Sequence, residues 1–575
     1  MTNNQIATVF EQIADLLEFQ GANAFRVRAY RNAARVIGDS TESLDRVVDG
    51  SEDPVKELQS IEGIGKDLAE KIETLVRTGA LPMLAELQAQ VPASVLAILR
   101  VPGLGPKKAA TLFKELHVQS LADLRKACDE HRVRELKGFG AKTEETILRG
   151  LETAETADKR LLWAVADERV QAIREHLQGV PALVRLEPAG SYRRGRETIG
   201  DLDFLAVASD PNPAMDRLAA YPEVALVLAR GETKMSVRLN EGLQVDLRVV
   251  PEDSFGAAMQ YFTGSKDHNV ILRGMAKDRG LKINEWGVYR GEDKIAGATE
   301  ADVYATLDLP CFPPEIREAR QEFEWAKQGT LPRLLEVEDM VGDLHMHTTA
   351  TDGTATIEEM IAAAQARGLK YIAITDHSKR VTMANGLNAD RLVEHWDRID
   401  AAAAKAKGIT VLKGVEVDIL EAGGLDLDDD VLSAADWVVA SVHYGQSQPR
   451  ERITARILEA LENPNVDAIA HPTGRLLNKR KAYEVDLEAV FDAAAKLGKF
   501  LELNANPQRL DLDDVACAAA KRRGIPIVIS TDAHSVVGLA CMRYGVLQAR
   551  RAGLTKEDVV NTRAWRDVKK LMDGR

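Results

Sequence analysis

The chain has few cysteines, no long apolar run and no excess of positive charge, and each shortage argues against a class of protein. Only 4 of its 575 residues are cysteine, and Cys128, Cys311, Cys517 and Cys541 lie far apart without C-x-x-C spacing. A disulfide framework or zinc knuckle is disfavoured, and buried or incidental thiols in a reducing cytosol are expected. No window approaches ~18 uninterrupted apolar residues, so no membrane span is expected. The opening stretch MTNNQIATVFEQIADLL has no basic flank before an apolar block and reads as an amphipathic helix, not a secretory signal. A net charge of −14 argues against binding nucleic acid by bulk attraction. Residues 91–150 nevertheless carry 11 Lys/Arg against 7 Asp/Glu, so any contact with DNA must be local and directed.

What the chain does have is length for several domains and an ordinary balance of 45% hydrophobic and 29% charged residues. Three textures succeed one another. Residues 1–150 read as short helices punctuated by Gly-x-Gly. Residues 160–310 mix helices with alternating strand patterns such as MSVRLNEGLQVDLRVV. The Pro-bounded, charged stretch 311–334 reads as a tail and linker. From Val341 onward seven short apolar runs alternate with helical segments, as in TIEEMIAAAQARG, where Thr356 and Glu359 form a capping-box signature. That alternation predicts a parallel β/α barrel, and most runs end in His, Asp or Glu, where a barrel carries its active site.

One pattern occurs three times in the first 150 residues: apolar-x-Gly-apolar-Gly, then a helix. The glycine pairs are Gly63/Gly65, Gly103/Gly105 and Gly138/Gly140. Such turns point backbone N–H groups outward beside the positive end of a helix and bind phosphate without side-chain charge, which suits an acidic chain. A lone Gly-x-Gly turn usually only connects helices. Repetition favours the DNA-binding reading.

The run GSYRRGRETIGDLDFLAV ends in a strand whose Asp201 and Asp203, at i and i+2, point to one face. A second strand, LQVDLRVV, brings Asp246. Three converging carboxylates suit oxygen-preferring Mg²⁺, and two such ions could clamp an in-line phosphoryl displacement. An isolated D-x-D is more often a solvated strand end, but the Gly-Ser turn and Arg193, Arg194 and Arg196 supply a place for a triphosphate.

A second constellation lies in the barrel. His345 and His347 share a strand face with Asp352 beyond them; His377, Glu416, His443, His471, Asp532 and His534 follow at later strand ends. Six of the 11 histidines sit in this set. A single strand histidine is usually a satisfied core residue; six at strand ends are not explained that way. These mixed N/O ligands could hold two or three ions of the Mn²⁺, Zn²⁺ or Fe²⁺ type if Glu416 bridges.

The glycine repeats resemble helix-hairpin-helix motifs, which grip the DNA backbone without reading sequence. Gly190, Ser191, Arg194, Gly200, Asp201, Asp203 and Asp246 resemble the palm of family X DNA polymerases. The segment YFTGSKDHNVILR is similar to that family's nucleotide-binding turn, which implies substrate binding at Gly264, Tyr261 and Phe262 near the sugar, and Asn269 and Arg273 toward base and template. GLKINEWGVY resembles the strand that follows. Gln244 departs from the animal members, which have an arginine beside the third carboxylate. The barrel ligands resemble the polymerase-and-histidinol-phosphatase (PHP) phosphoesterases, with all the family's ligand positions filled. Their union with a family X core resembles the bacterial polymerases of that family. Lys71 falls where the family's lyase lysine sits, and Arg26 and Tyr30 resemble the residues that hold a 5′-phosphate; Asp67 replaces a second basic residue there.

The resemblance implies a multidomain α+β and α/β chain: a helical helix-hairpin-helix N-terminal region, a nucleotidyltransferase palm with a mixed sheet, and a C-terminal (β/α)7-like PHP barrel. Expected boundaries are 1–85 for a lyase-like helical domain, 86–155 for helical fingers, 156–250 for the palm, 251–315 for the nucleotide-binding subdomain, 316–340 for a linker and 341–575 for the barrel. The expected protein is a cytoplasmic, monomeric gap-filling repair polymerase acting on gapped or primed DNA and dNTPs. Mg²⁺ is expected in the palm and Mn²⁺ or Zn²⁺ in the barrel, which is expected to act as a 3′–5′ exonuclease and to cleave abasic sites. The rival readings are a small-molecule phosphatase fused to a DNA-binding segment, and a non-catalytic DNA-binding scaffold. The first is opposed by the palm triad and the YFTGS turn, the second by two complete ligand sets that are costly without metal.

Overall fold

In the computed structural model the chain divides into Met1–Arg160 and Leu161–Arg575. The structure describes all residues except 2, 41–42, 62, 92–94, 96–97, 99–100, 102–103, 105, 158–159 and 575; at 4, 39, 106–107, 149–150 and 152–157 it describes the backbone alone.

The first unit is helical, with no strand among the described residues. Asn23 caps Ala24–Asp39 by accepting from the Phe25 N–H, and Gly79, at φ 69°, ends Lys66–Thr78. The three glycine turns share one hydrogen bond: Ile64 N–H donates to the Ile61 carbonyl, Leu104 to Val101 and Phe139 to Leu136, each at 3.0 Å. Ile64, Leu104 and Phe139 are all buried, so each turn is anchored by its middle apolar residue; in the first and third turns the glycines, Gly63, Gly65, Gly138 and Gly140, are exposed.

The second unit opens with a five-stranded mixed sheet in the order Leu183–Pro188, Asp201–Ala208, Gln244–Val249, Lys234–Leu239, Val224–Arg230. Asp201–Ala208 and Gln244–Val249 are parallel neighbours. The region GLKINEWGVY forms a hairpin, Lys282–Asn284 with Gly287–Arg290, where one strand was expected.

All seven apolar runs of the C-terminal half become strands of one parallel sheet, ordered as in the sequence from Gly342–Asp343 to Ile527–Ser530. A parallel bridge between Met346 and Ala533 joins the first run to the last, which curls the sheet into a nearly closed barrel. Thr356 and Glu359 form the expected capping box on Ile357–Ala366.

The stretch expected to be a linker, 316–340, is not one. Ile316, Leu334, Leu335 and the Arg317 and Glu322 side chains are buried. Glu322 lies 2.8 Å from the buried His268 ring, and Leu335 donates to the Leu554 carbonyl. Charge and proline misled the reading: Arg317 and Glu322 are buried against Glu300 and His268, and the apolar residues Ile316, Leu334, Leu335 and Met340 join two cores.

Candidate active sites

Parallel pairing sets Asp203 directly beside Asp246, with Asp201 beside Gln244. Gly190, at φ 63°, presses the preceding turn against this pair; a Cβ there would stand 2.5 Å from Asp203 Oδ2, so only glycine lets the turn approach. Burial first, then the charges of Asp201 and Asp246, push the Asp203 carboxyl up to about 7. Lys234 Nζ lies 3.1 Å from Asp246 Oδ2, and Gln244 Nε2 donates to Oδ1 at 3.1 Å. Gln244, the departure from the animal pattern, thus supports the third carboxylate with a neutral amide. Carboxylates held together against their own repulsion are a donor set that a hard cation relieves.

The same corner gathers the other palm candidates. Ser191 lies in the short helix Gly190–Arg193, and Gly200 immediately precedes the Asp201 strand. Arg193 donates to Thr263 Oγ1, and Arg194 to the Thr263 carbonyl, each at 2.8 Å, which ties the Gly190–Arg194 turn to Tyr261–Gly264. Tyr261 and Phe262 meet edge to face, and the Arg248 guanidinium lies 4.5 Å over the Phe262 ring. Asn269 is buried: its amide donates to the carbonyls of Tyr261 and Gly264 and accepts from Gln260, so it shapes the turn from inside. Arg273 is exposed one turn later, its Nε donating to the Asn269 carbonyl.

In the barrel, Glu416 is the hub. Its carboxylate lies 3.4 Å from His345, 3.6 Å from His347, 2.8 Å from His377, 3.5 Å from His443 and 3.1 Å from His471. His534 turns to Asp352 at 3.4 Å, as does His377 at 3.5 Å, and Asp532 lies 3.2 Å from His347. Three overlapping groups could each hold an ion: His347, Asp352, His377 and His534; His345, His347 and Asp532; and His377, Glu416 and His443. His345 Nε2, both nitrogens of His347, His377 Nδ1, His471 Nδ1 and Glu416 Oε2 are buried with no hydrogen-bond partner. The 2.8 Å approach of His377 to Glu416 therefore lacks hydrogen-bond alignment, as two ligands of one cation would. The donor set fits divalent metal.

Electrostatics agree. Burial opposes charge throughout, yet Glu502, Glu416 and Asp532 hold His345 above its ordinary value, and Glu416 raises His377 to about 10. Burial and then His377 and His534 depress His347 to about 4. Glu416 and Asp532 stay well below the usual carboxylate range despite burial, because histidines surround them. His471 and Asp532 have positive φ, 29° and 52°, a conformation costing non-glycine residues about 1–3 kcal/mol and typical of functional sites.

Reading the sequence missed the residues that orient the ligands. Glu502 lies 2.7 Å from His345 Nδ1 and accepts from the His471 N–H at 2.7 Å. Asp418 lies 2.9 Å from His443 Nδ1, and Asn504 donates to Asp532 at 3.1 Å. Arg509 Nε stands 3.4 Å from Asp532. Such partners fix ring tautomer and raise ligand basicity. A signal existed: Asp418 follows Glu416 at i+2, and Glu502 and Asn504 share the same alternation.

In the helical unit, Gly65 caps Lys66–Thr78 without a side-chain bond, which leaves first-turn amides for an external acceptor. Gly63 and Gly138 take φ of 92° and 87°, and the Thr143 and Glu144 amides turn back to the Gly140 carbonyl. Gly103 and Gly105 lie outside the described residues. Lys71 is one-fifth exposed and ion-paired with Asp67. Arg26 is exposed, but Tyr30 is a core residue, 2% exposed, its hydroxyl donating to Met83 Sδ. A phosphate contact through Tyr30 is thereby corrected: the ring packs against Phe10.

The chain matches a helix-hairpin-helix domain over residues 1–81, a SAM-like helix-hairpin-helix tandem over 95–153, the DNA polymerase beta thumb over 258–318 and a PHP domain over 343–506. It is 40% identical over 577 residues, 100% of this chain and 99% of the relative, to the DNA polymerase/3′-5′ exonuclease PolX of Bacillus subtilis (strain 168). A probable phosphatase of Thermoanaerobacter sp. (strain X514) is 32% identical over 245 residues, 41% of this chain and 94% of the relative. One from Acetivibrio thermocellus is 34% identical over 203 residues, 34% of this chain and 79% of the relative.

Proposed function

Because the chain belongs to the bacterial family X DNA polymerases with a C-terminal PHP domain, and so joins a DNA polymerase to a 3′–5′ exonuclease, we propose that extension and 3′ trimming occupy its two ligand clusters separately. The observation that carries this reading is that each cluster is complete within its own sheet: Asp203 beside Asp246 in the palm, and five histidines around Glu416 in the barrel.

In the palm, Asp201, Asp203 and Asp246 hold Mg²⁺. Gly190, Ser191, Arg194 and Gly200 receive the triphosphate, and Tyr261 and Phe262 border the sugar. Asn269 shapes that turn, and Arg273 faces the template side. In the barrel, His345, His347, Asp352, His377, Glu416, His443, His471, Asp532 and His534 hold two to three Mn²⁺ or Zn²⁺ ions. Bound divalent cations supply charge neutralisation at phosphate and, in the barrel, a more acidic water. The glycine turns, at Gly63/Gly65, Gly103/Gly105 and Gly138/Gly140, hold the DNA backbone through amides. The substrates are gapped or primed DNA and dNTPs, abasic sites are a further barrel substrate, and the protein works as a cytoplasmic monomer in repair. No helix among the described residues is long and apolar enough to cross a membrane. Incubation of the pure protein with gapped DNA, dNTPs and separately Mg²⁺ or Mn²⁺ tests the reading on one gel: Mg²⁺ supports extension and Mn²⁺ 3′ shortening. Absence of both activities refutes it.

A finer part of the proposal gives Lys71 a 5′-deoxyribose-phosphate lyase role, with Arg26 receiving the phosphate. Lys71, its side chain one-fifth exposed, follows the first glycine turn, and the Asp67 pair must open before its amine can attack an aldehyde. Borohydride trapping decides it: an adduct forms with wild type and is lost in Lys71→Ala. No adduct, or one that survives the substitution, removes Lys71 from the chemistry.

A further inference from the structure

The arginine assigned above to the triphosphate does not stand on palm residues alone. Arg194 donates from Nε to Glu318 Oε1 at 3.0 Å, and the same oxygen accepts from Arg551 Nη1 at 3.0 Å. Arg551 belongs to the helix Met542–Arg551, whose Val546 and Ala549 are part of the barrel core. Its side chain is 1% exposed, donates to the Arg194 carbonyl at 2.7 Å, and lies 2.7 Å from Asp514.

Three further contacts fix the same loop to the barrel. Gln548 donates to the Gly195 carbonyl at 2.9 Å. Gly195, at φ 66°, packs so tightly that a Cβ would meet Leu547 at 2.6 Å. One residue beyond Arg196, Glu197 accepts from Arg475, whose side chain is 13% exposed, at 2.7 Å. A guanidinium has five N–H donors, and the described residues accept from Nε and Nη1 of Arg194. The rest of the group is aimed by its tether.

We infer that Arg551 of the barrel is a positioning residue for the polymerase: through Glu318 it holds the Arg194 guanidinium, and through the Arg194 carbonyl the surrounding loop, in the orientation that receives the incoming nucleotide's phosphates. The inference rests on the reading of Arg194 as a phosphate ligand. Burial favours the neutral form of Glu318, yet Arg551 and Arg194 hold its carboxyl down at about 2, so the bridge is ionised at any working pH. A buried arginine–carboxylate–arginine chain fixes geometry more than it adds stability, because desolvation offsets much of the attraction.

The test uses the full chain and single-nucleotide insertion on gapped DNA. Arg551→Met and the near-isosteric Glu318→Gln are each expected to raise KM for the dNTP by about 2- to 30-fold, the range of mutations that act through an intermediary. In both, kcat stays within about twofold, 3′ shortening by the barrel is unchanged, and Arg551→Lys restores part of the loss. Arg194→Ala separates the two layers. If it raises KM while Arg551→Met and Glu318→Gln do not, the positioning role is overturned and the phosphate reading stands. If Arg194→Ala leaves KM at the wild-type value, the phosphate reading falls and takes the inference with it. A parallel loss of extension, shortening and thermal stability in Glu318→Gln as well as Arg551→Met also overturns it, because the chain would then be only structural.

Discussion

The palm and the barrel each gather carboxylates for metal, but they solve the repulsion problem in opposite ways. In the palm, three aspartates on two adjacent strands face one another with Lys234 as the cation beside Asp246, and Asp203 is pushed up to about 7. In the barrel, histidines from successive strand ends surround Glu416 and Asp532, and both stay well below the usual carboxylate range. In the palm Arg248 and Lys234 offset only part of the repulsion on Asp203, which a bound cation would relieve. A site whose anions are already matched by imidazoles, and whose imidazoles are oriented by Glu502 and Asp418, is assembled before metal enters.

The sharpest way to break the comparison is to remove one site at a time. Asp203→Ala is expected to reduce extension more than about 1000-fold, the factor that several kcal/mol of lost charge stabilisation represents, and to leave 3′ shortening intact. His347→Ala does the reverse. Loss of both activities in a folded Asp203→Ala protein, read on one gel, would show that the sites are not separate.

Preassembly of the barrel is tested through a residue that touches no metal in the assignment. Glu502→Gln is expected to weaken transition-metal affinity by about 10- to 100-fold, measured by elemental analysis across a chelator series, with extension on Mg²⁺ unchanged. Unaltered metal retention would mean that the histidines need no such orientation.

The smallest effect sharpens the palm side. Burial, Asp201 and Asp246 raise Asp203, so the proton is favoured below about pH 7 and competes with metal there. The Mg²⁺ concentration for half-maximal extension is therefore expected to rise about tenfold per unit as pH falls below that value, and to level off above it. A titration that is flat from about pH 6 to pH 8 would show that Asp203 is ionised throughout, and the contrast with the barrel would lose its electrostatic basis.

Much of this was legible locally. The seven apolar runs became the seven barrel strands in order, and the D-x-D alternation placed Asp201 and Asp203 on the strand beside Asp246. The glycine repeat at Gly138 formed the same turn as the first. The readings that failed were those that took polarity for exposure. The charged stretch after Cys311 is packed, and Tyr30, matched by resemblance to a phosphate contact, is core.

What the sequence determined by itself is whatever depends on a period of 2 or 3.6 residues: strands, helices, capped turns, and which side chains share a face. The tertiary structure alone decided which distant residues complete a site. Glu502 reaches His345 across 157 positions, Glu318 reaches Arg551 across 233, and Arg551 reaches the Arg194 carbonyl across 357. No local period encodes these pairs. They exist because buried charges require partners, and only the packed chain brings the partners within reach.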